Sequence, residues 1–364
     1  MTSELEAAVR GLVESFIEPN LDLPLGAVGA VHAVRVQGTA AHVEVALGFP
    51  VARYRAEFVQ ALEQHLRTLG GGIEEIRVDV SAEIVSHAVQ RNLRPIRGIK
   101  NIIAVASGKG GVGKSTTAAN LALALAAEGA SVGLLDADIY GPSQPRMMGL
   151  SGERPTSPDQ KTVEAPVGYG VKVMSIGFMI DEEQPMVWRG PMVTQALVQL
   201  LETTRWGELD YLIVDMPPGT GDTQLTLSQR VPVSGAVIVT TPQDIALLDA
   251  RKGLKMFQKV EVPVLGVIEN MSTHVCSNCG HEEHIFGAGG GRRMAEQYGV
   301  DLLGELPLDI RIRTQVDEGR PTVVAEPDST LGRAYFETAR RVAGRLAAAS
   351  IRGPLFPTIS VEDT

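Results

Sequence analysis

The chain has 364 residues, of which 44% are hydrophobic, so it is long and apolar enough to form two domains with cores. Its net charge of −10 argues against a broad nucleic-acid-binding surface, and no stretch reaches the roughly 18 apolar residues of a membrane span. The start lacks the basic and apolar segments of a signal peptide, and two cysteines exclude a disulfide framework. We therefore expect a cytoplasmic protein that binds neither nucleic acid nor membrane.

Residues 1–88 are predicted to form a small α+β domain. Apolar residues recur at helical spacing over 5–16 and 54–69, and they alternate as in strands over 34–36, 43–47 and 76–80. This α-β-β-α-β order resembles the SufT/PaaD-like domain that is often fused ahead of iron–sulfur ATPases. That family often has a cysteine before the proline after its second strand, where this chain has Phe49-Pro50. The resemblance therefore implies a docking or regulatory role rather than metal binding.

A polar connector over 89–97 is predicted to link this domain to a larger one. Its arginines, Arg91, Arg94 and Arg97, either are solvated or contact an acidic partner. From residue 98 to 349 the pattern predicts a mostly parallel α/β sheet with helices on both faces. The expected strands are continuous apolar runs at 101–106, 132–135, 211–214, 236–239 and 264–268. Residues 350–364 are predicted to be a loosely ordered tail.

A phosphate-binding loop, Gly108-Lys-Gly-Gly-Val-Gly-Lys-Ser115, follows the first of these strands and precedes a helix predicted over 116–128. Small residues let consecutive backbone N–H groups surround a polyphosphate at the helix N-terminus. Lys114 is expected to contact the β- and γ-phosphates, and the Ser115 hydroxyl to bind Mg²⁺. The residues expected to bind nucleotide are Gly108, Lys109, Gly110, Gly111, Val112, Gly113, Lys114, Ser115 and Thr116.

A second lysine, Lys109, distinguishes this loop from ordinary phosphate-binding loops. The pattern K-G-G-x-x-G-K-[ST] resembles the deviant Walker A motif of the MinD/ParA-like ATPases. In that group the extra lysine reaches across a nucleotide-sandwich dimer to the phosphates held by the other subunit. The resemblance implies that ATP closes a dimer and that Lys109 acts like an arginine finger; the alternative is a solvated loop lysine.

Polar residues follow three other strands at the edge of the sheet where ligands bind in open α/β folds. Asp215 ends the strand Tyr-Leu-Ile-Val-Asp and matches a Walker B carboxylate that holds Mg²⁺. In the MinD/ParA-like pattern Asp138 positions the attacking water, and Asn270 hydrogen-bonds the adenine edge. Asp136 is as well explained as a helix cap or turn residue.

Both cysteines lie in Cys276-Ser-Asn-Cys279, for which four interpretations are open. The pair could belong to a zinc knuckle completed by His281 and His284, could be a thioredoxin-like redox pair, or could be inert. Alternatively, because a [4Fe–4S] cluster takes four thiolates and one chain supplies two, two chains could share one cluster. We favour the shared cluster, which would be partly exposed and therefore transferable.

Residues 98–345 resemble an Mrp/ApbC-type iron–sulfur cluster carrier ATPase. The matching segments are the loop 108–115, Asp136-Ala-Asp-Ile-Tyr-Gly-Pro-Ser143, Trp188-Arg-Gly-Pro191, Asp215-Met-Pro-Pro-Gly219, Thr241-Pro-Gln243, Asn270-Met271, the Cys276–Cys279 pair and Ile285-Phe-Gly-Ala-Gly-Gly290. In addition, Gly304-Glu-Leu-Pro-Leu-Asp309 resembles the loop that flanks the adenine ring, which assigns Pro307 and Asp309 to the nucleotide. The resemblance implies a homodimer that hydrolyses ATP slowly, accepts a cluster from scaffold proteins and delivers it to apo iron–sulfur proteins.

Two other functions are compatible with the nucleotide motifs. A MinD/ParA-like positioning ATPase would act on membrane or DNA, and the basic helix predicted over 335–346 could serve as its membrane anchor unless it packs against the sheet. An electron-transfer ATPase like the nitrogenase reductase would also bridge a cluster. Its ligand cysteines, however, come from two separate segments, whereas Cys276 and Cys279 share one.

Overall fold

The computed structural model describes residues 2–69, 72–179, 190–276, 278–349 and 351. Of the tail predicted over 350–364, the structure describes residue 351 alone. Trp188 and Arg189 of the family motif also lie outside the described residues. The chain divides into two compact units, Met1–Val85 with Ala127–Gly129 and Ala343–Thr364, and Ser86–Ala126 with Ala130–Val342.

In the described part of residues 1–85, and apart from a short hairpin, a helix, two strands, a second helix and a third strand follow one another in the predicted order. Strand β3 pairs antiparallel with β4, and β4 pairs parallel with β5. A hairpin of two short strands, β1 and β2, was not predicted because two residues are too few for a periodic pattern. The elements are α1 (Thr2–Ser15), β1 (Ile17–Glu18), β2 (Leu23–Pro24), β3 (Val31–Gln37), β4 (Ala40–Leu47), α2 (Arg55–Leu66) and β5 (Glu75–Ala82).

The second unit contains an eight-stranded sheet in the order β15-β12-β11-β6-β10-β7-β9-β8. All neighbouring strands are parallel except the edge pair β8 and β9, so the predicted parallel α/β sheet is confirmed. Its strands are β6 (Ile99–Ala106), β7 (Val132–Asp136), β8 (Val167–Gly168), β9 (Val171–Ser175), β10 (Leu209–Asp215), β11 (Gly235–Thr240), β12 (Val264–Glu269) and β15 (Asp301–Glu305), while β13 (His274–Val275) and β14 (Glu282–Glu283) form a separate hairpin.

Helices connect these strands and cover the sheet. They are α3 (Lys114–Ala127), α4 (Gln144–Met147), α5 (Gly190–Thr203), α6 (Asp222–Arg230), α7 (Asp244–Lys259), α8 (Gly290–Tyr298), α9 (Ile310–Asp317), α10 (Thr322–Ala325) and α11 (Thr330–Ala348). The five predicted apolar runs form central strands whose residues are almost all buried, because helices remove both faces from water.

Helix α11 contains the basic segment considered as a membrane anchor. Its apolar residues, including Tyr335, Phe336 and Val342, are buried in the protein, and Arg340 is only 8% exposed. The alternative in which this helix packs within the fold is therefore confirmed. No helix among the described residues combines the length and apolar character needed to cross a bilayer.

The predicted connector is exposed at its arginines and anchored at Gln90. The exposed arginines Arg91, Arg94 and Arg97 are accessible to solvent, but Gln90 is buried. Its Nε2 donates to the carbonyl oxygens of Ser228 and Val231, and its Oε1 accepts from the backbone N–H of Val233.

Substitution of Gln90 by methionine is expected to lower the free energy of unfolding by about 2 kcal/mol, because buried backbone groups lose their partners. Urea denaturation followed by circular dichroism would measure this loss. Arg91→Met, at the exposed neighbouring position, is the matched control and should change stability by less than about 0.5 kcal/mol. Equal urea concentrations at the unfolding midpoint of the two variants would contradict the anchoring role of Gln90.

Candidate active site

The phosphate-binding loop connects β6 to α3, and its path depends on glycine. Gly111 and Gly113 both have a φ of +81°, in the region that favours glycine. A Cβ on Gly113 would overlap the side-chain amide of Asn270, and one on Gly108 would overlap the backbone of α7 at Asp249. The loop can therefore lie this close to its neighbours only without side chains at these positions.

A cavity of about 220 Å³ lies over this loop. Its walls come from the loop itself, from the turn after β7 and from the segment after β10. Candidate site residues that line it are Lys109, Gly110, Gly111, Gly113, Lys114, Ser115, Thr116 and Asp138. The backbone N–H of Gly219, in the segment after Asp215, donates to Ser107 at the start of the loop. The structure thus places the loop, the first aspartate turn and the segment after Asp215 next to one another.

Lys114 and Asp215 form a buried ion pair beneath the cavity. Lys114 Nζ donates to Asp215 Oδ1 and lies 3.2 Å from Ser115 Oγ, while Asp215 is fully buried. A buried charge is costly unless it is paired, so each of these groups compensates the charge of the other.

The two aspartates after β7 have different environments. Asp136 is buried, and its carboxylate accepts hydrogen bonds from the N–H groups of Asp138, Ser143 and Gln144 and from the Ser175 hydroxyl. Burial and the charge of Asp215 raise the pKa of Asp136 to about 7. Asp136 thus holds the turn and the start of α4, which confirms the interpretation as a cap or turn residue.

Asp138 is half-buried and borders the cavity over the loop. Partial burial raises the pKa of its carboxyl group, and the positive charge of Lys114 opposes that rise. Backbone N–H groups of Tyr140 and Gly141 also bond to this carboxylate and oppose the rise.

Gln144 was missed by the sequence analysis although it contacts two candidate site residues. Its Nε2 lies 2.9 Å from Asp215 Oδ2 and 3.0 Å from the carbonyl oxygen of Ser115. The side chain is fully buried, and within the described part of the chain its Oε1 has no hydrogen-bond partner. No local pattern marks this residue, because its partners are 71 and 29 positions away.

The residues assigned to adenine do not line the cavity over the loop. Asn270 is buried, and its Nδ2 donates to the carbonyl oxygen of Val112. Pro307 and Asp309 border a second cavity of about 520 Å³, together with His274 and Cys276. Asp309 also caps α9 and pairs with Arg311, and this pairing lowers the pKa of Asp309. Their role in adenine binding stays a prediction.

Cys276 and Cys279 lie in a tight turn between β13 and β14. The N–H of Cys276 donates to the carbonyl oxygen of His281, and the N–H of Gly280 donates to that of Cys276. Hydrogen bonds from the backbone of Cys279 and Asn278 and from the Cys279 thiol lower the pKa of the Cys276 thiol. Cys279 is exposed and Cys276 half-buried, so both sulfurs can be approached from outside the chain.

A zinc knuckle is not assembled in this turn. His284 Nδ1 is within hydrogen-bond distance of the carbonyl oxygen of Ser272, and His281 is exposed. Nowhere in the described ranges do three His, Cys, Asp or Glu side chains gather closely enough to hold a metal ion. In the part of the chain that the structure describes, no third ligand therefore gathers with the two thiols.

Comparison with known proteins identifies relatives of the whole chain and of its sheet domain. A family model described as ParA, NUBPL iron-transfer P-loop NTPase, matches residues 98–343. The iron-sulfur cluster carrier protein of Escherichia coli (strain K12) is 51% identical over 342 residues, which cover 94% of this chain and 92% of that protein.

Two solved structures with a similar fold are nucleotide complexes. A nucleotide-binding protein from Archaeoglobus fulgidus in complex with ADP is 37% identical, with a TM-score of 0.56, covering 66% of this chain and 91% of that one. The septum site-determining protein MinD from Pyrococcus horikoshii, complexed with Mg-ADP, has a TM-score of 0.51 at 23% identity and covers 66% of this chain and 94% of that one. At this identity the MinD structure shows a similarity of fold alone.

Proposed function

The chain belongs to the family of NUBPL iron-transfer P-loop NTPases, and we propose that it carries [4Fe–4S] clusters between proteins under the control of ATP. The observation that carries this proposal is the turn with Cys276 and Cys279, the only thiols of the chain. The turn follows β12 in the same sheet domain that holds the phosphate-binding loop. The name of the Escherichia coli relative agrees with this cargo.

The number of thiols explains how such a cargo would be held and released. A [4Fe–4S] cluster takes four thiolate ligands, and two copies of this chain supply four. A cluster held by Cys276 and Cys279 of each copy would lie at a two-fold axis and stay near the surface. With only two bonds to each subunit it could pass to an apo-protein that offers its own thiolates. The lowered pKa of Cys276 favours the thiolate that binds iron.

The residues around Asp215 fit a magnesium ion that accompanies the nucleotide. Ser115 offers a hydroxyl and Asp215 a buried carboxylate, and Mg²⁺ prefers oxygen ligands. Ser115 would hold the ion directly, and Asp215 would hold it directly or through water. When bound, the ion neutralises charge that develops on the phosphates.

Nucleotide binding would then rearrange the buried ion pair. The ion would compensate the Asp215 carboxylate, which frees Lys114 to donate to the β- and γ-phosphates. The N–H groups of the loop would surround the phosphates, and Asp138 would orient the attacking water. Asn270, Pro307 and Asp309 remain the residues that we assign to the adenine ring.

A second copy of the chain would complete the hydrolytic site. Lys109 lines the cavity, and its ammonium group has no hydrogen-bond or ion-pair partner among the described residues. Beside the loop, α7 exposes Ile245 and Leu248, which are 69% and 53% accessible and lie one helical turn apart. Burial of these side chains against a partner would stabilise a dimer in which each Lys109 reaches the other nucleotide. Hydrolysis by a single chain would accordingly be slow.

Iron counting after anaerobic reconstitution tests the proposal directly. We expect about two iron atoms per chain, a dimer in solution and an absorption band near about 400 nm, because one cluster is shared by two chains. About four irons per monomeric chain would contradict sharing. A colourless protein with about one zinc per chain would instead make the cysteine turn structural.

The proposed partners follow from this cargo. Scaffold proteins that assemble clusters would act as donors and apo iron–sulfur proteins as recipients, and a reducing compartment such as the cytoplasm would keep the two thiols free. A membrane-positioning function has less support, because the basic helix α11 buries its apolar residues. Electron transfer without release of the cluster would be recognised if recipients became reduced without gaining iron.

A further inference from the structure

The carboxamide of Gln144 is fixed in orientation by two acceptors. Nε2 lies within hydrogen-bond distance of the carbonyl oxygen of Ser115 and of the carboxylate of Asp215, and neither group can donate a proton there. The donor end of the amide must therefore point at them, which leaves Oε1 as the acceptor end.

The orientation leaves Oε1 buried without a donor. Gln144 is 0% exposed, and within the described part of the chain no group donates to Oε1. Buried polar atoms are paired in the great majority of native structures, often with ordered water, so each exception requires an explanation. Oε1 shares its carbon with Nε2, which contacts the Asp215 carboxylate that would hold magnesium.

We propose that Gln144 positions magnesium at this site by accepting a hydrogen bond from a water bound to the ion while donating to Asp215. A metal-bound water is a strong donor, and it is the kind of partner that Oε1 lacks in this structure. Through Nε2 the same side chain fixes the orientation of the Asp215 carboxylate when Lys114 turns away to the phosphates. Gln144 is thus a positioning residue that acts through Asp215 and through metal-bound water.

The assignment depends on the nucleotide part of the proposed function and not on the iron–sulfur cargo. It can accordingly be tested in the absence of iron, on the full chain with ADP. Failure of cluster reconstitution would not affect the assignment of Gln144. If the ADP affinity of the wild-type chain did not depend on Mg²⁺, both this assignment and the proposed metal site would be overturned.

The test is a Mg²⁺ titration of the ADP complex, followed with a fluorescent ADP analogue. Gln144→Met keeps the length and apolar stem of the side chain but removes both ends of the amide. We expect the half-saturating Mg²⁺ concentration to rise by about tenfold or more, as found when groups that orient metal ligands are removed. The affinity for ADP in excess EDTA should change by less than about threefold.

Gln90→Met is the matched control, because it also removes a buried amide whose hydrogen bonds are to the backbone, at the predicted connector. Its half-saturating Mg²⁺ concentration should stay within about twofold of the wild type. If Gln144→Met does not fold, Gln144→Asn, which withdraws the amide by one methylene group, should show the same rise. An unchanged Mg²⁺ requirement, or an equal loss of ADP affinity in EDTA, would overturn the assignment.

Discussion

Lys109→Ala is expected to slow ATP hydrolysis by about a thousandfold while ATP affinity changes by less than about threefold. A positive group supplied from a second subunit contributes roughly 10³–10⁵ to the rate in related phosphoryl transfers. Lys109 lines the cavity over the loop, yet Lys114 forms the buried ion pair. The first lysine is therefore available to a neighbouring chain. Single-turnover hydrolysis and equilibrium ATP binding, measured at the same protein concentration, would separate the two effects.

A mixing experiment distinguishes action in trans from action within one chain. Lys114→Ala is expected to lose ATP binding, because it removes a charge-assisted contact, but it retains Lys109. When it is mixed with Lys109→Ala, a mixed dimer has one intact nucleotide site and one donated Lys109, so part of the hydrolysis should return. Each variant alone should hydrolyse ATP at least about a thousandfold more slowly than the wild type. Normal turnover by Lys109→Ala, or no recovery on mixing, would refute the role across the dimer.

The fold was largely predictable because the strongest sequence signals coincide with the deepest burial. The apolar run over 132–135 became β7, which is one residue longer, and the run over 211–214 became β10, which is three residues longer. Both strands are covered on two faces, so their sequences are continuous apolar runs that are easily recognised as buried strands. By contrast, β8 and β13 have two residues each, and their position depends on pairing with partners elsewhere in the chain.

The candidate site was predictable where residues form a contiguous motif and not where they meet through packing. Lys114 and Ser115 belong to the loop pattern, which could be recognised from spacing alone. Gln144 and Gln90 lie in unremarkable contexts, and only the folded chain brings them to Asp215 and to the backbone near Val233. Burial of an amide is uncommon for its residue type, so neither position follows from composition or periodicity.

Cys276→Ser combined with Cys279→Ser is expected to remove reconstituted iron entirely, to below about 0.1 iron per chain. A dimer of this variant has no thiolate, whereas the wild-type dimer has four, and a hydroxyl is a poor ligand for this cluster. Neither cysteine lines the cavity over the loop, so ADP should still bind through the phosphate-binding loop. Iron and sulfide counting together with ADP titration on the same preparation would measure both.

The histidines near the turn provide the matched control for this loss. His281→Ala combined with His284→Ala removes the two side chains that a zinc knuckle would need but leaves both thiols in place. In the described ranges neither imidazole lies close enough to the thiols to bind a metal ion together with them, so iron content should stay at the wild-type value. A loss of iron equal to that of the serine variant would make the histidines ligands. Retention of iron by the serine variant would show that the cluster is held elsewhere, because a cluster shared through the cysteine turn cannot form without its thiolates.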